Sequence, residues 1–139
     1  MSDLVEANLA LARRGYELWN TGGVKGWEQI WSRDIVFYEA PEFPDTGVFR
    51  GAEALAAHGR DLIEAVGHFR WKVLSLEGRG DYVLSALEVS GQGTSSGAAV
   101  TVPFFHVSRY GGGQLLEMRS YFNGDQARRE YERFSTPSG

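Results

Sequence analysis

Three side chains in this sequence could transfer a proton together: the carboxylate of Glu39, the imidazole of His106 and the phenol of Tyr16. A carboxylate is a suitable general base for removing a proton from the carbon next to a carbonyl group. A phenol or an imidazole N–H can stabilise the enolate oxygen that then forms. If these groups meet in one apolar cavity, they have the composition of a proton-transfer site.

The neighbours of each residue place it on a face that is expected to be buried. Glu39 follows Phe37 by two positions in a predicted strand, so both side chains project from the same face. His106 alternates with Phe104 in the same way, and Tyr16 lies on the apolar side of a predicted helix. Purely structural roles are the alternative for each residue. Glu39 could lie past the strand end in solvent, and His106 and Tyr16 could be hydrogen-bonded core residues.

Other polar residues are less informative. Glu88 lies in a strand that is apolar on both faces, so alternation does not decide its direction, and the orientation of His58 is equally open. The histidines His58, His68 and His106 lack the spacing of a metal site, and the chain has no cysteine. It also lacks a phosphate-binding glycine loop and a nucleophile elbow. We therefore expect neither a metal nor a cofactor.

Helices in the first half of the chain must position these groups. Apolar residues at spacings of three and four predict a first helix from Val5 to Trp19, which ends at Gly22 and Gly23. The further predicted elements are a short helix around 27–31, a strand over 34–40, a loop over 42–51 and a third helix over 52–66.

The second half of the chain changes to the composition of a sheet. The segments 69–76, 82–89, 98–110 and 114–122 are rich in β-branched and aromatic residues, with glycine-bearing turns between them. A polar helix over 125–134 closes the chain. This order predicts an α+β fold in which a cone-shaped, curved antiparallel sheet packs on the three helices of the N-terminal half. The open end of such a cone is the expected pocket.

Composition limits the range of functions. The chain has 139 residues, a formal net charge of −4 and no cysteine. We expect one domain over 1–139, with a frayed tail at 135–139. The negative charge argues against nucleic acid or an anionic membrane as a partner. No apolar run approaches the ~20 residues of a membrane helix, and the N-terminus lacks a secretory pattern, so a cytoplasmic location is predicted.

Several segments carry a resemblance to a known family. They are Tyr16-Glu17-Leu18-Trp19-Asn20, Trp31-Ser32-Arg33-Asp34, the stretch from Pro41 to Gly51, and Met118-Arg119-Ser120-Tyr121-Phe122-Asn123. From Leu4 to about Phe134 the sequence resembles the nuclear transport factor 2-like superfamily, in particular its SnoaL-like branch. The resemblance implies the cone-shaped fold, on which isomerases, cyclases, hydrolases and non-catalytic proteins all occur.

Comparison with ketosteroid isomerases implies roles for the three polar residues. Glu39 falls where those enzymes have their aspartate base, His106 where they have an oxyanion-hole acid, and Tyr16 corresponds to their oxyanion-hole tyrosine. The implied activity is that of a cofactor-independent isomerase or aldol-type cyclase acting on a small, largely apolar carbonyl compound. Aromatic residues make up 13% of the chain. The expected pocket wall comprises Trp19, Trp27, Trp31, Phe37, Phe43, Leu62, Glu88, Phe104, Met118, Ser120 and Phe122.

Other functions of the same fold are alternatives. The cone could hold a small apolar or aromatic molecule without turning it over, or its aromatic residues could simply fill it. The outer sheet face, with Phe105, Val107 and Tyr121 by parity, could form a homodimer. An epoxide hydrolase of the limonene type fits less well, since Ala86 and Ser120 stand where its arginine and second aspartate are expected.

Overall fold

The computed structural model describes residues 2–42, 47–92 and 99–136. Its helices are α1 (Ser2–Trp27), a single 3-10 turn (Glu28–Ile30), α2 (Ala52–Val66) and α3 (Gly124–Ser135). Its strands are β1 (Trp31–Tyr38), β2 (Val48–Arg50), β3 (Arg70–Arg79), β4 (Tyr82–Gln92), β5 (Ala99–Gly111) and β6 (Gln114–Tyr121). The predicted α+β fold with a curved sheet is confirmed.

The first helix is longer than its apolar stripe predicts. It continues to Trp27 through a kink at Gly23, whose φ of 61° lies in the left-handed region that favours glycine. The predicted short second helix is therefore the last turn of α1 followed by the 3-10 turn. Trp31 lies outside it and begins β1.

The six described strands form one sheet in the order β2-β1-β6-β5-β4-β3. Neighbouring strands run antiparallel except β1 and β6, which are parallel. The sheet is thus mixed, whereas an antiparallel one was predicted. β2 also lies in the predicted loop, where Phe49 pairs with Phe37 of β1.

Helices cover both faces of the sheet. On the inner face, α1 and α2 enclose a core that includes Trp19, Ile35 and Leu55. On the outer face, α3 packs through Ala127 and Tyr131. The three residues that were expected to contact a second subunit, Phe105, Val107 and Tyr121, belong to this outer cluster and pack with α3 of the same chain.

The C-terminal helix is capped by its own sequence. The side chain of Asn123 accepts a hydrogen bond from the backbone N–H of Gln126 at 2.9 Å, which satisfies one of the free donors at the helix start. The helix ends at Ser135, which is buried, and residues 137–139 of the predicted tail lie outside the described part of the chain. No helix among the described residues is long and apolar enough to cross a membrane.

Candidate functional site

A cavity of about 390 Å³ lies between α1, α2 and the inner face of the sheet. This volume falls in the range of small-molecule sites. Among its described lining residues there is no lysine or arginine, and most are aromatic or aliphatic. The lining consists of Gly15, Tyr16, Trp19, Trp27, Phe37, Glu39, Leu55, His58, Gly59, Leu62, Val66, Phe69, Trp71, Val89, Ser90, Gly91, Val102, Phe104, His106 and Phe122.

Helix α1 is fixed against the start of β3 by side-chain hydrogen bonds. The indole N–H of Trp19 donates to the carbonyl of Phe69 at 2.7 Å. Asn20 donates to the carbonyl of Trp71 and accepts from its backbone N–H, both at 2.8 Å. These bonds set the rotation of α1, so that Tyr16, one turn before Asn20, faces the sheet.

The first polar pair in the cavity joins Tyr16 and His106. The phenol oxygen lies 2.8 Å from Nδ1 of the imidazole, and both side chains are buried. Trp71 and Phe104 contact the imidazole with ring centroids at 5.0 and 5.3 Å. Burial lowers the pKa of His106 to about 3, and burial raises the pKa of Tyr16 well above its ordinary value, so both groups are neutral near pH 7.

The neutral state of His106 determines its hydrogen bonding. One ring nitrogen carries a proton and the other accepts. The phenol is the more acidic partner, so we assign Tyr16 as the donor to Nδ1, which leaves the ring proton of His106 on Nε2. Within the described part of the chain, no residue bonds to this Nε2, and His106 lines the cavity. The pair can therefore offer an N–H donor to a ligand oxygen.

The second polar pair joins Glu39 and His58. Oε2 of the carboxylate lies 2.7 Å from Nε2 of the imidazole, and the two side chains are only 4% and 7% exposed. Oε1 of Glu39 accepts the backbone N–H of Ala40 at 3.0 Å. Phe49 of β2 stacks on the imidazole with ring centroids 3.9 Å apart. Both carboxylate oxygens are thus hydrogen-bonded, and the imidazole is held between the carboxylate and an aromatic ring.

The structure brings together most of the residues that the sequence singled out. Tyr16, Glu39 and His106 line one cavity with six of the predicted wall residues: Trp19, Trp27, Phe37, Leu62, Phe104 and Phe122. Glu39 does not extend into solvent, because His58 of α2 covers it. Polar groups from α1, α2, β5 and the first residue after β1 therefore face one apolar space.

Four described wall residues do not line the cavity. Glu88 lies on the outer face of β4, opposite to Leu87 and Val89, because side chains alternate along a strand. Trp31 packs behind Trp27, with ring centroids 5.0 Å apart. Met118 and Ser120 are on the inner face but buried below the cavity, at 2% and 3% exposure. Phe43 lies outside the described residues.

Two important lining residues were missed by the sequence analysis. His58 stands three residues after Leu55 and four before Leu62, a helical spacing that indicates a shared inward stripe on α2. Trp71 lies next to the Tyr16 ring at a centroid distance of 5.9 Å, and alternation within β3 places it on the face that packs on α1. In the described ranges, no three histidine or acidic side chains converge to hold a metal.

Comparison with known proteins identifies a family. The family described as the SnoaL-like domain matches residues 12–118. Bal32a, from a soil-derived mobile gene cassette, is 21% identical and has a TM-score of 0.75, with 92% of this chain and 98% of that chain covered. A search of curated proteins finds no match.

Two further solved structures share the fold. A protein from Jannaschia sp. CCS1, named as SnoaL-like polyketide cyclase, is 21% identical, with 97% of this chain and 96% of that chain covered and a TM-score of 0.72. TerC, co-crystallised with polyporic acid, is 15% identical, with coverage of 91% and 98% and a TM-score of 0.73. At these identities the likeness to the solved structures shows the fold alone.

Proposed function

This chain belongs to the SnoaL-like domain family, and on that premise we propose that it is a cofactor-independent proton-transfer enzyme. Its substrate is a small, largely apolar carbonyl compound, and the reaction is an isomerisation or an aldol-type ring closure. One observation carries the proposal: two hydrogen-bonded polar pairs, Glu39–His58 and Tyr16–His106, line a single cavity that is otherwise almost entirely apolar.

The two pairs have complementary chemical roles. The substrate carbonyl oxygen accepts a hydrogen bond from Nε2–H of His106, and the Glu39–His58 pair removes a proton from the adjacent carbon. The electrons of the broken C–H bond move into the carbonyl group and form an enolate. Return of the proton to another carbon gives isomerisation. Attack of the enolate carbon on a second carbonyl group instead closes a ring, and the proton then passes to the alkoxide oxygen that this attack creates.

The electrostatics of the cavity favour this chemistry. Burial keeps His106 neutral, so the imidazole stabilises an oxyanion by donating a hydrogen bond and not by carrying a positive charge. A fixed donor in an apolar cavity is worth more than the same donor in water. The lining also lacks a cation among its described residues, so a neutral substrate is preferred.

The relatives support a pocket for an organic molecule. TerC was crystallised with polyporic acid, and the protein from Jannaschia sp. CCS1 is named as a polyketide cyclase. Aromatic walls bind flat apolar molecules through large contact areas. The cavity of this chain has such walls in Trp19, Trp27 and Trp71.

Deuterium exchange tests the proposal directly. Bicyclic ketones such as 2-tetralone, incubated with the protein in D2O, are expected to exchange the protons next to the carbonyl faster than in buffer. Glu39→Gln is expected to lower the exchange rate by at least about a hundredfold, because the proton-accepting pair is disrupted. Glu64→Gln, an exposed carboxylate of α2, is the matched control. Full exchange activity in Glu39→Gln would show that the assignment is wrong.

A passive binding protein is the second candidate function. Its supporting observation is that both oxygens of Glu39 already accept hydrogen bonds, as is common for structural carboxylates. Saturable binding of many ketones without exchange of their protons would favour this alternative.

A further inference from the structure

The carboxylate of Glu39 is poorly placed to take a proton from a substrate. Its Oε1 accepts the backbone N–H of Ala40, and its Oε2 lies 2.7 Å from Nε2 of His58. A direct proton transfer to either oxygen would weaken a hydrogen bond in a site that is nearly closed to water. Each carboxylate oxygen thus already has one of its lone pairs engaged, whereas the imidazole offers a ring nitrogen that no described residue engages.

We infer that Nδ1 of His58 accepts the proton and that Glu39 is a positioning residue that fixes the tautomer of this histidine. This inference rests on the proposed proton-transfer function and assigns the atom that accepts the substrate proton in its first step. In this arrangement the C–H bond of the substrate breaks, its proton forms an N–H bond at Nδ1, and its electron pair remains on the substrate as an enolate. The proton later returns from Nδ1 to substrate or product.

The hydrogen-bonding capacity of the pair carries the argument. An ionised carboxylate has only acceptors, so the proton in the Glu39–His58 bond belongs to Nε2 of the imidazole. The neutral ring then has an unprotonated Nδ1 with a free lone pair. In the described ranges of the chain, no group bonds to this Nδ1, and His58 lines the cavity. A carboxylate that holds one imidazole nitrogen leaves the other as the base.

The surroundings of His58 stabilise the protonated product. When Nδ1 takes a proton, the imidazolium lies in contact with the carboxylate of Glu39, so no isolated charge forms in the apolar cavity. The stacked ring of Phe49 and the neighbouring ring of Phe37 keep the imidazole from rotating away. Helix α2 supplies His58 from a rigid element, which favours a fixed direction for Nδ1.

Nitrogen-15 NMR of the intact, ligand-free protein tests the tautomer. Two-bond proton–nitrogen correlations above neutral pH are expected to show His58 protonated at Nε2 and unprotonated at Nδ1. A proton on Nδ1, or on both nitrogens, would overturn the assignment, because Nδ1 could then not accept. Exposed His68 serves as an internal reference for a histidine without a carboxylate partner among the described residues.

A substitution at His58 that keeps the hydrogen bond to Glu39 but removes the basic nitrogen distinguishes the role of His58 from that of Glu39. His58→Gln can still donate an amide N–H to the carboxylate, and it is expected to lower ketone exchange by at least about a hundredfold. If Glu39 were the base, this variant would keep most of its activity. His68→Gln is the matched control, and circular dichroism checks that both variants are folded.

The outcomes distinguish the inference from the function on which it rests. Absence of ketone exchange in the unmodified protein would overturn the proposed function together with the catalytic role of His58. Exchange in the unmodified protein that His58→Gln retains would overturn the role of His58 alone and leave the proton-transfer function standing.

Discussion

The phenol of Tyr16 and the imidazole of His106, which are 90 positions apart in the sequence, meet at 2.8 Å within the core. The contact joins α1 to β5, two elements that approach each other only in the folded chain. Because both side chains are buried, neither group can exchange this partner for water. The contact therefore contributes to stability as well as to the chemistry of the cavity.

Removal of the phenol oxygen is expected to destabilise the fold. Tyr16→Phe leaves Nδ1 of His106 without its partner in a buried site, which costs about 1–3 kcal/mol of unfolding free energy. Urea unfolding monitored by circular dichroism measures the change. Tyr82→Phe is the control, because the described part of the chain offers its hydroxyl no hydrogen bond, and its effect is expected within about 0.5 kcal/mol. Equal stability of both variants would contradict the predicted bond.

The neutral state of His106 makes stability depend on pH. Burial lowers its pKa from 6.5 to about 3, so between these values the unfolded chain binds a proton that the folded chain does not. The unfolding free energy should therefore fall as the pH falls from 6.5 towards 3, with His106 contributing at most about 1.4 kcal/mol per pH unit. Urea unfolding over this pH range measures the slope.

Two histidine substitutions test whether His106 causes this pH dependence of the unfolding free energy. His106→Gln, which can still accept from Tyr16, is expected to have a flatter pH dependence than the unmodified protein. His68→Gln should retain the original slope, because His68 is exposed. A slope that is the same in all three proteins would show that His106 does not carry the effect.

Local patterns predicted the parts of the site that lie within single elements. The two-residue alternation that joins Phe37 to Glu39, and Phe104 to His106, needs no knowledge of the rest of the chain. The same holds for Tyr16 and Trp19 on one side of α1. These residues line the cavity because a strand or helix, once formed, fixes which side chains share a face.

Features that depend on distant partners could not be predicted. β2 has only three residues, and its structure depends on pairing with β1, where Phe49 lies opposite Phe37. The parallel pairing of β1 with β6 joins strands that are separated by four other strands and a helix. Glu88 was ambiguous because helices cover both faces of the sheet, so β4 is apolar on both sides.

Two glycines near the kink in α1 should respond differently to substitution by alanine: Gly26→Ala should destabilise the fold, and Gly22→Ala should not. A Cβ atom at Gly26 would lie 2.1 Å from the backbone carbonyl oxygen of Leu18, which cannot move without distorting the helix. Gly26→Ala should therefore cost at least about 1–3 kcal/mol of unfolding free energy. A Cβ atom at Gly22 would meet no described atom within 4 Å beyond its chain neighbours and the local helix backbone, so Gly22→Ala should be neutral or stabilising by up to about 1 kcal/mol.

Thermal unfolding of the two alanine variants, side by side, measures this difference. Both substitutions add one methyl group to the same segment, so the helix propensity gain is common to both and the steric term separates them. A melting temperature for Gly26→Ala equal to that of Gly22→Ala would mean that the last turn of α1 does not pack closely against Leu18.

The cavity is expected to bind neutral aromatic molecules in preference to their anionic analogues. Its described lining contains the carboxylate of Glu39 but no lysine or arginine, so a bound anion would be buried without a cationic partner. We expect 2-naphthol to bind at least about tenfold more tightly than 2-naphthoate. Because 2-naphthol is uncharged near neutral pH, its affinity should also change little with salt concentration.

Tryptophan fluorescence reports this binding from within the cavity. Trp19, Trp27 and Trp71 line the cavity, so an aromatic ligand should quench their emission in a saturable way. Trp31→Phe should retain the quenching because Trp31 packs behind the wall, whereas Leu62→Trp should abolish it by filling the space where the ligand binds. Tight, salt-sensitive binding of 2-naphthoate would contradict the prediction, because it requires a cationic group that the described cavity wall does not contain.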